Sequence, residues 1–142
     1  MNKIYLFLLL IFICFSSCDK KRYYDGEMPG LDFSDDTIHF DTVFTSIGTV
    51  TRELRIKNPY RSWLKIDRIQ LAGGENSPFR LNVDGVPGSS FKMLEIAPSD
   101  SLFIFIDAII DPNDLDNPVL INDSIEFEIS GNIQDVNLIA WG

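Results

Sequence analysis

Alternation with a period of two residues is the feature that most narrows what this chain can fold into. "TIHFDTVF" sets Ile38, Phe40, Thr42 and Phe44 on one side against His39 and Asp41. "VTRELRIK" sets Val50, Leu54 and Ile56 against Thr51, Glu53, Arg55 and Lys57, and "SIEFEIS" sets Ile125, Phe127 and Ile129 against Ser124, Glu126 and Glu128. Successive side chains of a pleated strand reach opposite faces, so each segment has one wet and one dry face. "LKIDRIQL" changes parity between Ile66 and Ile69, and a bulge near Asp67 and Arg68 would restore a single buried face. With "FRLNV", "FKMLEI", "LFIFIDAII" and "DVNLIAW" the count reaches eight short strands. Between them stand the turn signals Asn58-Pro59, Gly73-Gly74, Asp84-Gly85, Pro87-Gly88, Pro98, Asp111-Pro112 and Gly131-Asn132. After residue 18 no stretch keeps a helical period, so the pattern predicts an all-β, antiparallel sandwich of seven to eight strands.

Two of these strands are apolar on both parities. If Leu102, Ile104 and Ile106 face the core, Phe103, Phe105 and Ile109 point away; if Val136, Leu138 and Ala140 face it, Ile139 and Trp141 point away. Either both strands are covered on both faces within the domain, or Phe103, Phe105, Ile139 and Trp141 form an apolar contact surface for a protein partner or an adjoining domain.

The N-terminus reads differently. Lys3 is followed by an apolar run from Ile4 to Phe15, twelve residues long. That is short of the roughly 20 needed to span a bilayer but fits the apolar region of a secretory signal peptide. Ser16 and Ser17 precede Cys18, a pattern that resembles the lipobox of bacterial lipoproteins, although Phe15 stands where Leu, Val or Ile is usual. The resemblance implies cleavage before Cys18 and acylation of its thiol. Cys14, the other cysteine, would leave with the leader, so no disulfide is expected. The expected organisation is a leader at 1–17, a lipidated tether at 18–32 and a sandwich domain at 33–142. Cleavage leaves 125 residues and a formal charge of −10, since Lys3 is the only charge among the −9 chain's first 17 residues. Such an acidic domain repels phosphate backbones, and nucleic-acid binding is not expected. The basic cluster Lys20, Lys21 and Arg22 would lie beside the lipid, where it meets either anionic headgroups or solvent. Asp19 resembles an acidic sorting residue of some envelope lipoproteins without choosing between inner and outer membrane.

The ordered segments also resemble immunoglobulin-like modules of the ASH and choice-of-anchor type. They are "FDTVFTSIG", "LRIKNP", "LKIDRIQLAGG", "PFRLNV", "LEIAPSDSLFIFI" and "SIEFEISGN", covering most of residues 33–142. "GGENSPFRLNVDG" further resembles envelope lipoproteins in which such a module precedes a parallel β-helix domain. The resemblance implies an immunoglobulin-like sandwich, a structural or protein-binding role, and no shared active site.

Motifs that would carry chemistry fail on context. Ser89 and Lys92 have the spacing of a serine acyl-enzyme motif but follow Pro87-Gly88 into a strand instead of opening a helix. His39, the sole histidine, sits on a strand face, and Asn122 to Ser124 match a glycosylation acceptor by chance. "DPNDLDNP" offers Asp111, Asn113, Asp114 and Asp116 as hard oxygen ligands for calcium. As an EF-hand loop it lacks the turn glycine and the closing Glu, so a capped turn is the simpler reading, and no metal or cofactor is expected. Tyr60 and Trp63 in "NPYRSWL" could stack on a sugar or fold down as a lid over one end of the sandwich. The expected function is a non-catalytic, membrane-anchored envelope lipoprotein module for positioning or protein–protein interaction. Its alternatives are a glycan-binding surface lipoprotein and the N-terminal accessory domain of a larger β-helix protein.

Overall fold

A computed structural model describes residues 20–41, 50–109 and 120–141. The strands are β1 (Asp32–Phe33), β2 (Thr37–Phe40), β3 (Arg52–Lys57), β4 (Leu64–Leu71), β5 (Phe79–Val83), β6 (Val86–Gly88), β7 (Ser90–Ile96), β8 (Ser101–Ala108), β9 (Leu120–Ile129) and β10 (Asn132–Trp141). They form two five-stranded sheets, β1-β3-β8-β5-β6 and β2-β10-β9-β4-β7. The expected sandwich is present, and each expected strand has its counterpart. The two additional strands, β1 and β6, span two and three residues, too short to display alternation.

The inward parity of each sheet supplies the core. Leu54, Ile56, Leu81, Ile104 and Ile106 of the first sheet meet Ile66, Ile69, Ile125, Phe127, Val136 and Leu138 of the second, all essentially inaccessible to water. Each such side chain contributes roughly 1.5–3 kcal/mol by leaving solvent. Phe33 on β1 tilts against Phe127 with ring centroids 4.9 Å apart, tying the short edge strand to the opposite sheet.

The parity change in β4 is accommodated by a matched pair of irregular residues. Ile66 pairs with Leu94 and Arg68 with Lys92, so the register of β4 against β7 is the same on both sides of Asp67. Each strand spends one residue there, Asp67 and Met93, and Met93 adopts φ +58°. Ile66 and Leu94 then face inward above the irregularity, and Ile69 and Phe91 below it. The Asp67 carboxylate accepts a hydrogen bond from the Ser130 amide, 2.7 Å, and so braces the β9–β10 turn. That turn is Ser130-Gly131, with φ +48° and +79°, the left-handed pair that a two-residue hairpin demands.

One pairing departs from the antiparallel expectation: β2 runs parallel to β10, with Thr37 beside Asn137 and Phe40 beside Ala140. The cause is the point of entry. The Leu31 amide donates to Gln134 Oε1 at 2.7 Å, so the chain arrives where β10 begins and must run in its direction.

Candidate functional site

The end of the sandwich where the chain arrives is organised by Asn58, a fully buried polar residue just after β3. Its amide nitrogen donates to the carbonyls of Ser62 (2.8 Å), Ile96 (3.1 Å) and Ala97 (3.0 Å), and its oxygen accepts from the Tyr60 amide (2.9 Å). One side chain thereby satisfies backbone groups of two loops that form no ladder of their own. These bonds set the 58–63 loop, and with it Tyr60 and Trp63.

Residues 20–32, expected as a tether, lie along this end of the sandwich. Tyr23 and Trp63 form an isolated parallel bridge, the Tyr24 amide donating to the Trp63 carbonyl (2.9 Å) and the Trp63 amide to that of Arg22 (2.8 Å). Tyr24 stacks on Tyr60 with ring centroids 3.8 Å apart, and Tyr60 Oη accepts from the Gly30 amide at 3.0 Å. The Lys21 ammonium sits 4.3 Å from the Trp63 ring centroid. Leu31 is buried in the core, 7% exposed. Tyr60 and Trp63 therefore act as the docking platform for the chain's own linker, with one ring stacked and the other under a cation. A free tether has no use for Tyr23, Tyr24 and Leu31 in thirteen residues, and that apolar content is the signal the strand-seeking pattern passed over.

Glu95 on β7 closes the clasp, accepting from Lys21 Nζ at 2.5 Å and from Tyr23 Oη at 2.6 Å. Lys21 first, then Tyr23, hold the Glu95 carboxyl below its ordinary 4.5. The hydrogen bond to Glu95 in turn raises Lys21 above 10.5 and Tyr23 above 10.0. A depressed carboxyl stabilises the docked state above its free value and loses that contribution as pH falls through the docked value. The raised Lys21 and Tyr23 lose theirs as pH rises through their own docked values. The clasp is thus complete between these limits and loosens on acidification below 4.5. In a Trp141→Phe chain, acidification to about pH 3 is expected to shift Trp63 emission while the β-sheet circular dichroism persists. Glu95→Gln should flatten that response, and an unchanged response would show that Glu95 is not the titrating group.

The four residues expected as one contact surface are divided between the two outer faces of the sandwich. Phe103 and Phe105, both 41% exposed, stand on the outer face of the first sheet, opposite Arg55 and Glu53 of β3. Trp141, 50% exposed, lies on the outer face of the second sheet opposite Leu120, and half-buried Ile139 stands between Asn122 and His39. Parity tells inward from outward but not which sheet a strand joins, so a single patch containing all four does not form. Exposed His39 flanks β10, and the Ser89 hydroxyl donates to Glu75 at 2.8 Å. Cys18 and the Asp111, Asn113, Asp114 and Asp116 loop lie outside the described residues. Among the described residues, no three His, Cys, Asp or Glu side chains are grouped to hold a metal ion.

No protein-family model matches this sequence, and no curated protein matches it. Among solved structures, the chain is similar to a family 123 glycoside hydrolase from Clostridium perfringens, at 11% identity and a TM-score of 0.53 over 79% of this chain and 27% of that one. It is also similar to the Pseudomonas aeruginosa chaperone CupB2, at 14% identity and a TM-score of 0.48 over 77% of this chain and 54% of that one. The E. coli chaperone DraB matches at 10% identity and a TM-score of 0.47, over 85% of this chain and 56% of that one. The chain thus spans about a quarter of the hydrolase and little more than half of each chaperone. At such identities the likeness is one of fold. The chain is a β-sandwich of two five-stranded sheets.

Proposed function

We propose that this protein is a non-catalytic, lipid-anchored spacer of the bacterial cell envelope, holding a partner protein or adjoining domain away from the membrane. The observation that carries the reading is the placement of entry and exit. The linker docks beside Trp63 and the start of β10, and β10 ends at Trp141, at the far end of the sandwich. Ten strand residues span about 30 Å, so a load beyond Trp141 would stand one domain length from the anchor. The leader-like residues 1–17 and Cys18 supply the anchor. Either outer face offers exposed aromatics to a protein partner, Phe103 and Phe105 on one and Trp141 on the other. The glycan-binding reading has less behind it, because a sugar stacking on Tyr60 or Trp63 would have to displace Tyr24 or Lys21.

Expression of the full chain in a bacterial host tests the anchor. The unaltered protein is expected in the membrane fraction with an acylated Cys18, and Cys18→Ser is expected to remain unprocessed at its N-terminus and without the acyl mass. An unmodified thiol at Cys18 of a freely soluble protein would contradict the proposal.

A further inference from the structure

The geometry points to the Trp63 end of the sandwich as a membrane-docking face for anionic phospholipid headgroups, which stands the module upright on the bilayer. The inference rests on the lipid-anchor reading and adds an orientation to it. Its basis is the shortness of free chain between lipid and sandwich. Arg22 is already fixed, its carbonyl accepting from the Trp63 amide at 2.8 Å. Cys18 lies four residues before it, and four steps of 3.8 Å cap the separation at about 15 Å. A flexible tether of the same sequence would leave the domain free to tumble. The docked linker instead keeps Trp63, one bridge spacing of about 5 Å beyond Arg22, within about 20 Å of the acylated residue.

The side chains at that end suit the interface. Lys20, Arg22, Arg61 and Lys65 are exposed around half-buried Trp63. Indole at headgroup level with cations beside it is the arrangement favoured at a membrane surface. Asp25, Glu27 and Asp100 are exposed at the same end and weaken the attraction, so the anchor is needed to bring it within a Debye length of about 8 Å. Farther from Trp63, the outer face of the second sheet interleaves its charges, with Glu126 opposite Asp135, Glu128 paired to Arg68 and Lys92 opposite Arg68, so it offers headgroups no basic cluster.

The chain carries its own reporters, two tryptophans, one at each end. The acylated mature protein, residues 18–142, is reconstituted into phosphatidylethanolamine–phosphatidylglycerol vesicles containing headgroup spin-labelled lipid. In Trp141→Phe the remaining emission is that of Trp63, and subtraction from the unaltered chain gives that of half-exposed Trp141. Trp63 is expected to be quenched at least threefold more than Trp141. Equal quenching, or stronger quenching of Trp141, on a protein whose mass shows the acyl chain would overturn the orientation and leave the anchor standing. A mass without an acyl chain would overturn both.

Discussion

Asn58→Ala is expected to lower the stability of the domain by roughly 3–5 kcal/mol, because it strips the partner that a fully buried side chain gives to the carbonyls of Ser62, Ile96 and Ala97 and the amide of Tyr60. A buried backbone group without a partner costs about 1–3 kcal/mol, and the replacement also leaves a small void. For a domain of this size the melting temperature should fall by about 10–15 °C. Asn58→Asp separates hydrogen bonding from packing. It conserves volume and the acceptor for Tyr60 but turns a carboxylate toward three carbonyl oxygens, and at neutral pH it should be at least as damaging as alanine. Thermal melts of the three chains followed by circular dichroism provide the comparison. A loss below about 1 kcal/mol for Asn58→Ala would mean that water replaces the side chain, and that the 58–63 loop is not organised from within.

Phe127→Ala should produce a loss of similar size, roughly 3–5 kcal/mol. The ring is fully buried on β9, the strand between β10 and β4, and contacts Phe33 from the opposite sheet. Its removal opens a cavity that neither sheet can close and frees β1, whose two residues have little else to hold them. Urea unfolding should show a lower midpoint with an unchanged slope. Phe127→Leu refills most of the volume and is expected to lose less than half as much.

Which of these features could be read from the sequence follows from what side-chain pattern encodes. Period two places Leu54, Ile104, Phe127 and Leu138 inside and Phe103, Phe105 and Trp141 outside, because burial acts on every second residue of a strand whatever its neighbours. The parity break at Asp67 was legible for the same reason. Its compensation at Met93 was not, since a second irregularity in the partner strand leaves the register unaltered and is visible only once the two strands are paired. Pairing direction leaves no mark on alternation either, so the parallel β2–β10 contact depends on the linker arriving at Gln134. The docking site followed the same logic. Tyr60 and Trp63 stood out as aromatics beside a turn, but their partners Tyr24 and Lys21 come from a stretch without period, and Asn58 looked like an ordinary turn residue until its four bonds were placed.

The central claim is that residues 20–32 belong to the sandwich, so that the chain enters at one end and reaches the other at Trp141. Pulsed dipolar spectroscopy between nitroxides at Lys20→Cys and Leu120→Cys, with Cys14 and Cys18 changed to Ser, measures it directly. A docked linker predicts one narrow distance distribution centred at about 30 Å, the length of a ten-residue strand. A broad distribution reaching over tens of ångströms would mean that the linker moves independently of the sheets, and would contradict the account.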